Sequence, residues 1–171
     1  EAEEFSRLPI NPVKDTNGNH LTVSLVWPGR TVKIRVWEAM VGKVRLVLLD
    51  TDHDDNTPED RTITHYLYGG DNENRLRQEL ILGIGGIRAL VAIGLKPDVY
   101  HSNEGHSAFI SLERMRTMIE ENHLTFNQAL EAVRSSTLFT THTPVPAGHD
   151  AFDEDLLRKY ISHYHSRLSI T

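Results

Sequence analysis

Apolar and polar positions alternate in three stretches near the start of the chain, residues 21–27, 31–37 and 43–49, and each is rich in β-branched side chains. A period of two places alternate side chains on one face, so these stretches predict half-buried strands. Pro28 and Gly29 separate the first two, and a break over residues 39–42 separates the second from the third, making antiparallel hairpins the simplest connection. The acidic stretch 50–60 predicts a loop, with Pro58 disfavouring regular structure at Thr57.

The period then changes. Leu76, Leu80, Ile84, Ile87, Leu90 and Val91 recur at spacings of three and four and predict a helix over residues 74–94, with Gly94 and Pro97 suited to its end. Residues 98–101 predict a short strand. Ala108, Leu112, Met115 and Ile119 share one face of a helix over 107–122, and a second helix starts at Thr125, with Gln128 at capping-box spacing. A β-branched stretch over 136–141 runs into a Pro-rich loop, and a further helical pattern covers 153–165. Strand, helices and strand in that order predict a parallel crossover. The expected fold class is α/β: an antiparallel meander in a β-rich part, residues 20–70, then strands and helices of a mainly parallel sheet in an α/β part, residues 71–171. Residues 1–171 read as a single domain without internal repeats or low-complexity segments.

Composition narrows the function classes. With 171 residues, 39% apolar, the chain can bury one sizeable core. A net charge of -6 without a long basic run leaves no docking surface for a phosphate backbone or an anionic membrane, so neither nucleic acid nor membrane is an expected partner. The lack of Cys removes disulfides, thiolate nucleophiles and Cys-ligated zinc. No apolar run approaches the roughly 18 residues of a membrane span, and residues 1–10 lack the regions of a signal peptide, so the expected location is cytoplasmic. The chain begins at Glu1 rather than Met and stops at Thr171 without a terminating signal, which reads as a piece of a longer protein.

Several motifs fail on inspection. Asp50, Asp52 and Asp54 hold the first three ligand positions of a calcium loop, but the required Gly is Asp55 and the required Glu is Arg61, so a solvated loop is expected. Gly83, Gly85 and Gly86 lie inside the helical period, and Arg88 stands where the third Gly of a dinucleotide cradle would fall; close helix packing explains them better. The His residues lack metal-ligand spacing and no metal is expected, while composition permits a Ser-His-Asp triad but the absence of a G-x-S-x-G elbow argues against one. Two polar corners remain beyond predicted strand ends, where α/β sheets bind ligands: residues 101–106, with His101 and His106, and residues 140–150, with His142 and His149. Their hydroxyls, amides and imidazoles suit sugar hydroxyls, and suit helix capping and loop bracing equally well.

The corners, together with Trp37, residues 46–52, the run Leu67 Tyr68 Gly69 Gly70 Asp71 Asn72 Glu73 and the run Arg75 Leu76 Arg77 Gln78 Glu79, resemble the α-glucan phosphorylases in order, from about Trp37 to Asp150. The better-known branch reads Asn-Asp-Thr-His and Thr-Asn-His-Thr at the corners. Asn103 Glu104 Gly105 His106 and Thr140 Thr141 His142 Thr143 resemble the shorter prokaryotic branch instead. The resemblance implies part of the N-terminal, glucan-side half of a GT-B fold, whose two Rossmann-like halves face across a cleft. It implies phosphorolysis of an α-1,4-glucan by orthophosphate to glucose 1-phosphate, with pyridoxal phosphate as cofactor, in a homo-oligomeric parent. By the same resemblance His142 is the catalytic position, holding the glucose 6-hydroxyl and turning its carbonyl to the anomeric carbon. Asp71 and Asn72 match a gate loop that Arg75 braces, and Asn103, Glu104, His106 and Thr143 line the sugar crevice. No segment resembles the Lys-bearing cofactor site or the phosphate-binding cluster, so this chain alone is expected to be inactive. The alternatives are a fragment of a glycogen or starch synthase-like transferase and a non-catalytic carbohydrate-binding module.

Overall fold

The computed structural model describes residues 7–67, 69–144 and 150–170. Its antiparallel sheet contains β1 (Asn11–Pro12), β2 (Thr22–Trp27), β3 (Arg30–Val41) and β4 (Val44–Asp50). The long β3 pairs with β2 from Arg30 to Arg35 and with β4 from Arg35 to Val41, which is the expected meander. The break expected over 39–42 is smaller: Ala39, Met40 and Val41 continue the strand, and Gly42 turns it at φ 62. Both faces of this hairpin end are open, with Met40, Val41 and Val44 exposed, so apolar alternation gave no sign of the extra pairs.

Val32, Ile34 and Val36 on β3 are fully buried, each contributing about 1.5–3 kcal/mol of hydrophobic burial. They belong to the core shared with Leu76, Leu80 and Ile84 of a helical layer made of α2 (Asn72–Leu80), a π turn (Ile81–Gly85) and α3 (Gly86–Ala92). The glycines sit at that turn. A Cβ on Gly85 would meet Ile34 at 3.0 Å, and one on Gly83 would meet Phe109 at 2.7 Å, so the helix is wedged between the sheet and the next helical layer. Gly94, at φ 78, donates to the Val91 carbonyl and Leu95 to the Leu90 carbonyl, closing the helix as expected.

The acidic stretch contains a short helix, α1 (Pro58–Arg61), where a loop was expected. Pro58 starts it rather than breaking it, because a first-turn residue needs no intrahelical N–H bond, and Thr57 caps it. Asp50 accepts from Trp37 at 3.2 Å and Asp52 from Arg61 at 2.5 Å, so these carboxylates serve separate partners. Asp50 is buried, contrary to a solvated loop.

Beyond the helical layer, β5 (Tyr100–Asn103), α4 (Ile110–Glu120), α5 (Phe126–Ser135) and β6 (Thr137–Thr140) form the expected crossover, with β5 and β6 parallel and Asn103 opposite Thr140. Thr125 and Gln128 make the capping box. The strand lies two residues later than expected, so Ser102 and Asn103 join His101 in β5 rather than belonging to a loop. The last helical pattern divides into α6 (Glu154–Ile161) and α7 (Tyr164–Arg167). Tyr164 reaches the buried Glu113, which also pairs with Arg88 at 2.8 Å, tying α3, α4 and α7 together.

Candidate functional site

Parallel pairing brings Asn103 and Thr140 side by side at the carboxyl ends of β5 and β6, and the chain leaves both strands into the same crevice. Glu104 follows β5 at φ 53 and ψ -157, a region that L residues seldom occupy. Its side chain is buried and turns back beneath the other corner. One carboxylate oxygen, Oε1, accepts the Thr143 N–H at 2.7 Å and the His142 N–H at 3.2 Å. Hydrogen bonding from the Thr143 side chain and from the His142 backbone holds the carboxyl down to about 2. Glu104 thus carries a full negative charge at neutral pH. It makes no capping bond to the 3-10 turn Gly105–Ser107, so helix capping does not describe what its carboxylate does.

His142 is exposed. Its Nε2 lies 3.1 Å from Asn103 Oδ1, and its Nδ1 3.4 Å from Glu104 Oε1, so the ring spans the two corners. In the neutral tautomer that satisfies Asn103, Nε2 carries the proton and donates to the amide oxygen. Beside it, His101 Nε2 and the Thr140 hydroxyl are 2.6 Å apart.

Arg75 of α2 supplies the positive charge. Its Nη2 stands 2.7 Å from His106 Nδ1 and 2.9 Å from Asp150 Oδ2, while its Nε stands 3.3 Å from Glu79 Oε1. Guanidinium only donates, so His106 accepts at Nδ1 and holds its proton on Nε2, which faces Glu104 Oε2 at 3.6 Å. Burial pushes the Glu79 carboxyl up to about 8, and hydrogen bonding to Asp150 adds to this. Asp150 is also raised by burial, but the hydrogen bonds from Arg75 and Glu79 outweigh that and leave it below its usual value. At neutral pH the proton therefore sits on Glu79 and the charge on Asp150.

Among the described residues, Glu79, His106 and Asp150 place ligand-type atoms within 4.8 Å of one another. The Arg75 guanidinium already lies among them and neutralises the charge, so the cluster is an ion-pair network by construction.

Asp71 caps α2 by accepting the Asn74 N–H at 2.9 Å, and Asn72 opens that helix with its side chain exposed, one turn from Arg75. A cavity of about 740 Å³ runs from His101, Asn103 and His106 along the helical layer to Leu49 and Leu67, with mainly apolar walls. The structure thus gathers Arg75, Asn103, Glu104, His106, His142 and Thr143, with Asp71 and Asn72 at the near end of α2. His149 lies outside the described residues. Sequence reasoning missed Glu79. Its position four residues after Arg75 and beside the buried Leu80 was the available signal.

No family model matches the chain. Its sequence is 44% identical over 161 residues to a glycogen phosphorylase of Mycobacterium tuberculosis, covering 91% of this chain and 19% of that protein. It is 48% identical over 145 residues to a maltodextrin phosphorylase of Thermococcus litoralis, covering 85% of this chain and 17% of that protein. Its structure is similar to the catalytic domain of starch synthase IV from Arabidopsis thaliana, solved with ADP and acarbose, at a TM-score of 0.51 and 16% identity, over 87% of this chain and 28% of that one. The structural likeness shows the fold alone, an α/β arrangement of the GT-B kind. Among the described residues no helix is long and apolar enough to cross a membrane. Over most of its own length the chain is similar in sequence to a segment of the glycogen and maltodextrin phosphorylases, and it spans only about a fifth of the length of the relatives it matches.

Proposed function

We propose that this chain forms the glucose-side wall of an α-1,4-glucan phosphorylase active site, within the N-terminal half of a longer enzyme that transfers glucose to orthophosphate. The observation that carries this reading is the His142 ring resting on Asn103 across the ends of β5 and β6, in a chain 44% identical to a glycogen phosphorylase. The exposed imidazole is placed to hold a sugar hydroxyl. The His142 carbonyl supplies a fixed dipole for the positive charge that develops at the anomeric carbon, which stabilises the transition state more than neutral sugar. Asn103 holds the ring in one tautomer, and Arg75 ties Asp150 to α2. Asn72 is exposed at the start of α2, and its amide supplies the groups that a sugar hydroxyl would bond.

The described residues do not fit pyridoxal phosphate. No lysine lines the cavity, and Arg75 is committed to carboxylates and His106. The cofactor and the orthophosphate would bind other parts of the longer protein, and no step here runs through them. The synthase alternative draws only on the shared fold, whereas sequence similarity favours phosphorylases.

The test is nuclear magnetic resonance of the labelled chain titrated with glucose and maltodextrin. Shifts at Asn72, Asn103, His142 and Thr143 support the reading. Shifts confined to an exposed aromatic position outside the cavity, such as Phe139, would instead mark a carbohydrate-binding module.

A further inference from the structure

The peptide between His142 and Thr143 is gripped from one side. Its N–H belongs to Thr143 and points at Glu104 Oε1 over 2.7 Å. The peptide bond is trans, so its carbonyl, that of His142, points the opposite way, away from the buried carboxylate. The preceding N–H, that of His142, donates to the same oxygen at 3.2 Å, so the peptide planes on both sides of the His142 Cα are tied to one carboxylate oxygen. A carboxylate accepting from a peptide N–H also polarises that peptide and increases the negative charge on its carbonyl oxygen.

We infer that Glu104 is a positioning residue: its buried carboxylate aims and polarises the His142 carbonyl so that this oxygen faces positive charge at the sugar ring. The inference rests on the proposed phosphorylase reading for the identity of the ligand, and on the geometry alone for the grip. It replaces a direct sugar contact for Glu104 with an action through the peptide in front of it. The unusual backbone at Glu104 follows: φ 53 lets the chain leave β5 while the side chain folds back under the other corner. It also explains how an acidic group serves a site where positive charge develops without forming a bond to the sugar. The charge stands one peptide behind the reacting carbon, shielded from solvent.

Two measurements test the inference on the chain itself. In the doubly labelled protein, a through-hydrogen-bond coupling between the Thr143 amide nitrogen and the Glu104 side-chain carboxyl carbon is expected. Its absence from an assigned spectrum overturns the grip without any substitution. In Glu104→Gln, which keeps an acceptor but removes the charge, the Thr143 amide proton and the His142 carbonyl carbon move upfield, while Tyr100 and Leu138 in the strands keep their shifts. An unmoved His142 carbonyl overturns the polarisation.

The functional readout is a ratio. The wild-type chain is expected to bind a protonated glucose-like iminosugar about tenfold better than glucose, and Glu104→Gln to erase that preference. A general loosening of the loop weakens both ligands and leaves the ratio in place, which would overturn the inference. A chain that shows the coupling but shifts with neither ligand overturns the sugar role and the phosphorylase reading together, leaving only the grip.

Discussion

The guanidinium of Arg75 stands 2.7 Å from Nδ1 of His106, joining helix α2 to the turn after β5. The same nitrogen reaches Asp150 at the end of the second corner, so one side chain ties three segments. Replacing it by Met removes the cation facing Asp150 and Glu79 and is expected to cost about 2 kcal/mol. Arg75→Lys recovers only part of this, because an ammonium lacks the planar fork. Urea unfolding of the variants measures both.

Glu79 makes the fold sensitive to alkali. Its folded value is about 8, against roughly 4.3 for an unfolded chain. Between these values the folded state keeps a proton that the unfolded state has released. Stability from this group is therefore complete below about pH 4.3 and is lost as pH rises through about 8. Glu79→Gln has no proton to lose, and its urea midpoint should fall less than the wild type's between about pH 5 and pH 8. Parallel pH profiles would remove Glu79 from the account.

Glu104 has the opposite sign. Its folded value is held to about 2, so the stability it contributes is present above about pH 4.3 and is lost as pH falls toward 2. Acid unfolding of Glu104→Gln should therefore begin from lower stability at neutral pH and show a shallower decline below about pH 4. A wild-type-like acid profile would show that the carboxylate is not preferentially held in the folded state.

The glycines at the π turn should behave unequally. A Cβ at Gly83 would stand 2.7 Å from the Phe109 Cβ and 2.9 Å from the Ile110 backbone nitrogen, neither of which can swing aside. Gly83→Ala should destabilise by about 1–3 kcal/mol. A Cβ at Gly86 meets nothing within 4 Å, so Gly86→Ala should stabilise by up to about 1 kcal/mol through helix propensity. Thermal unfolding of the pair checks the contrast.

The strands, the helix spacing and the crossover were legible because buried faces impose their periods on the sequence. Val32, Ile34 and Val36 announce β3, as Leu76, Leu80 and Ile84 announce the helical layer. Legibility ended where solvent replaced packing, as at Met40 and Val41, and where hydrogen bonds rather than burial set the boundary. Tyr100 donates to the Ser136 carbonyl, which begins the parallel ladder later than β-branching alone suggested. The corners were visible as polar residues at strand ends. The direction of each side chain was not: Glu104 turns inward because of a backbone angle that no residue type announces, and Glu79 meets Asp150 across 71 positions of sequence, a pairing that only the fold creates.

The central claim is that His142 is a sugar contact. Affinity for maltodextrin, measured by nuclear magnetic resonance titration of the wild-type chain and of His142→Ala, tests it most directly. The account predicts shifts at Asn103 and Thr143 in the wild type and about a tenfold loss of affinity in the variant, with the shifts of β2 and β3 unchanged. Equal affinity in the two proteins, or binding that leaves Asn103 and Thr143 unmoved, would contradict it.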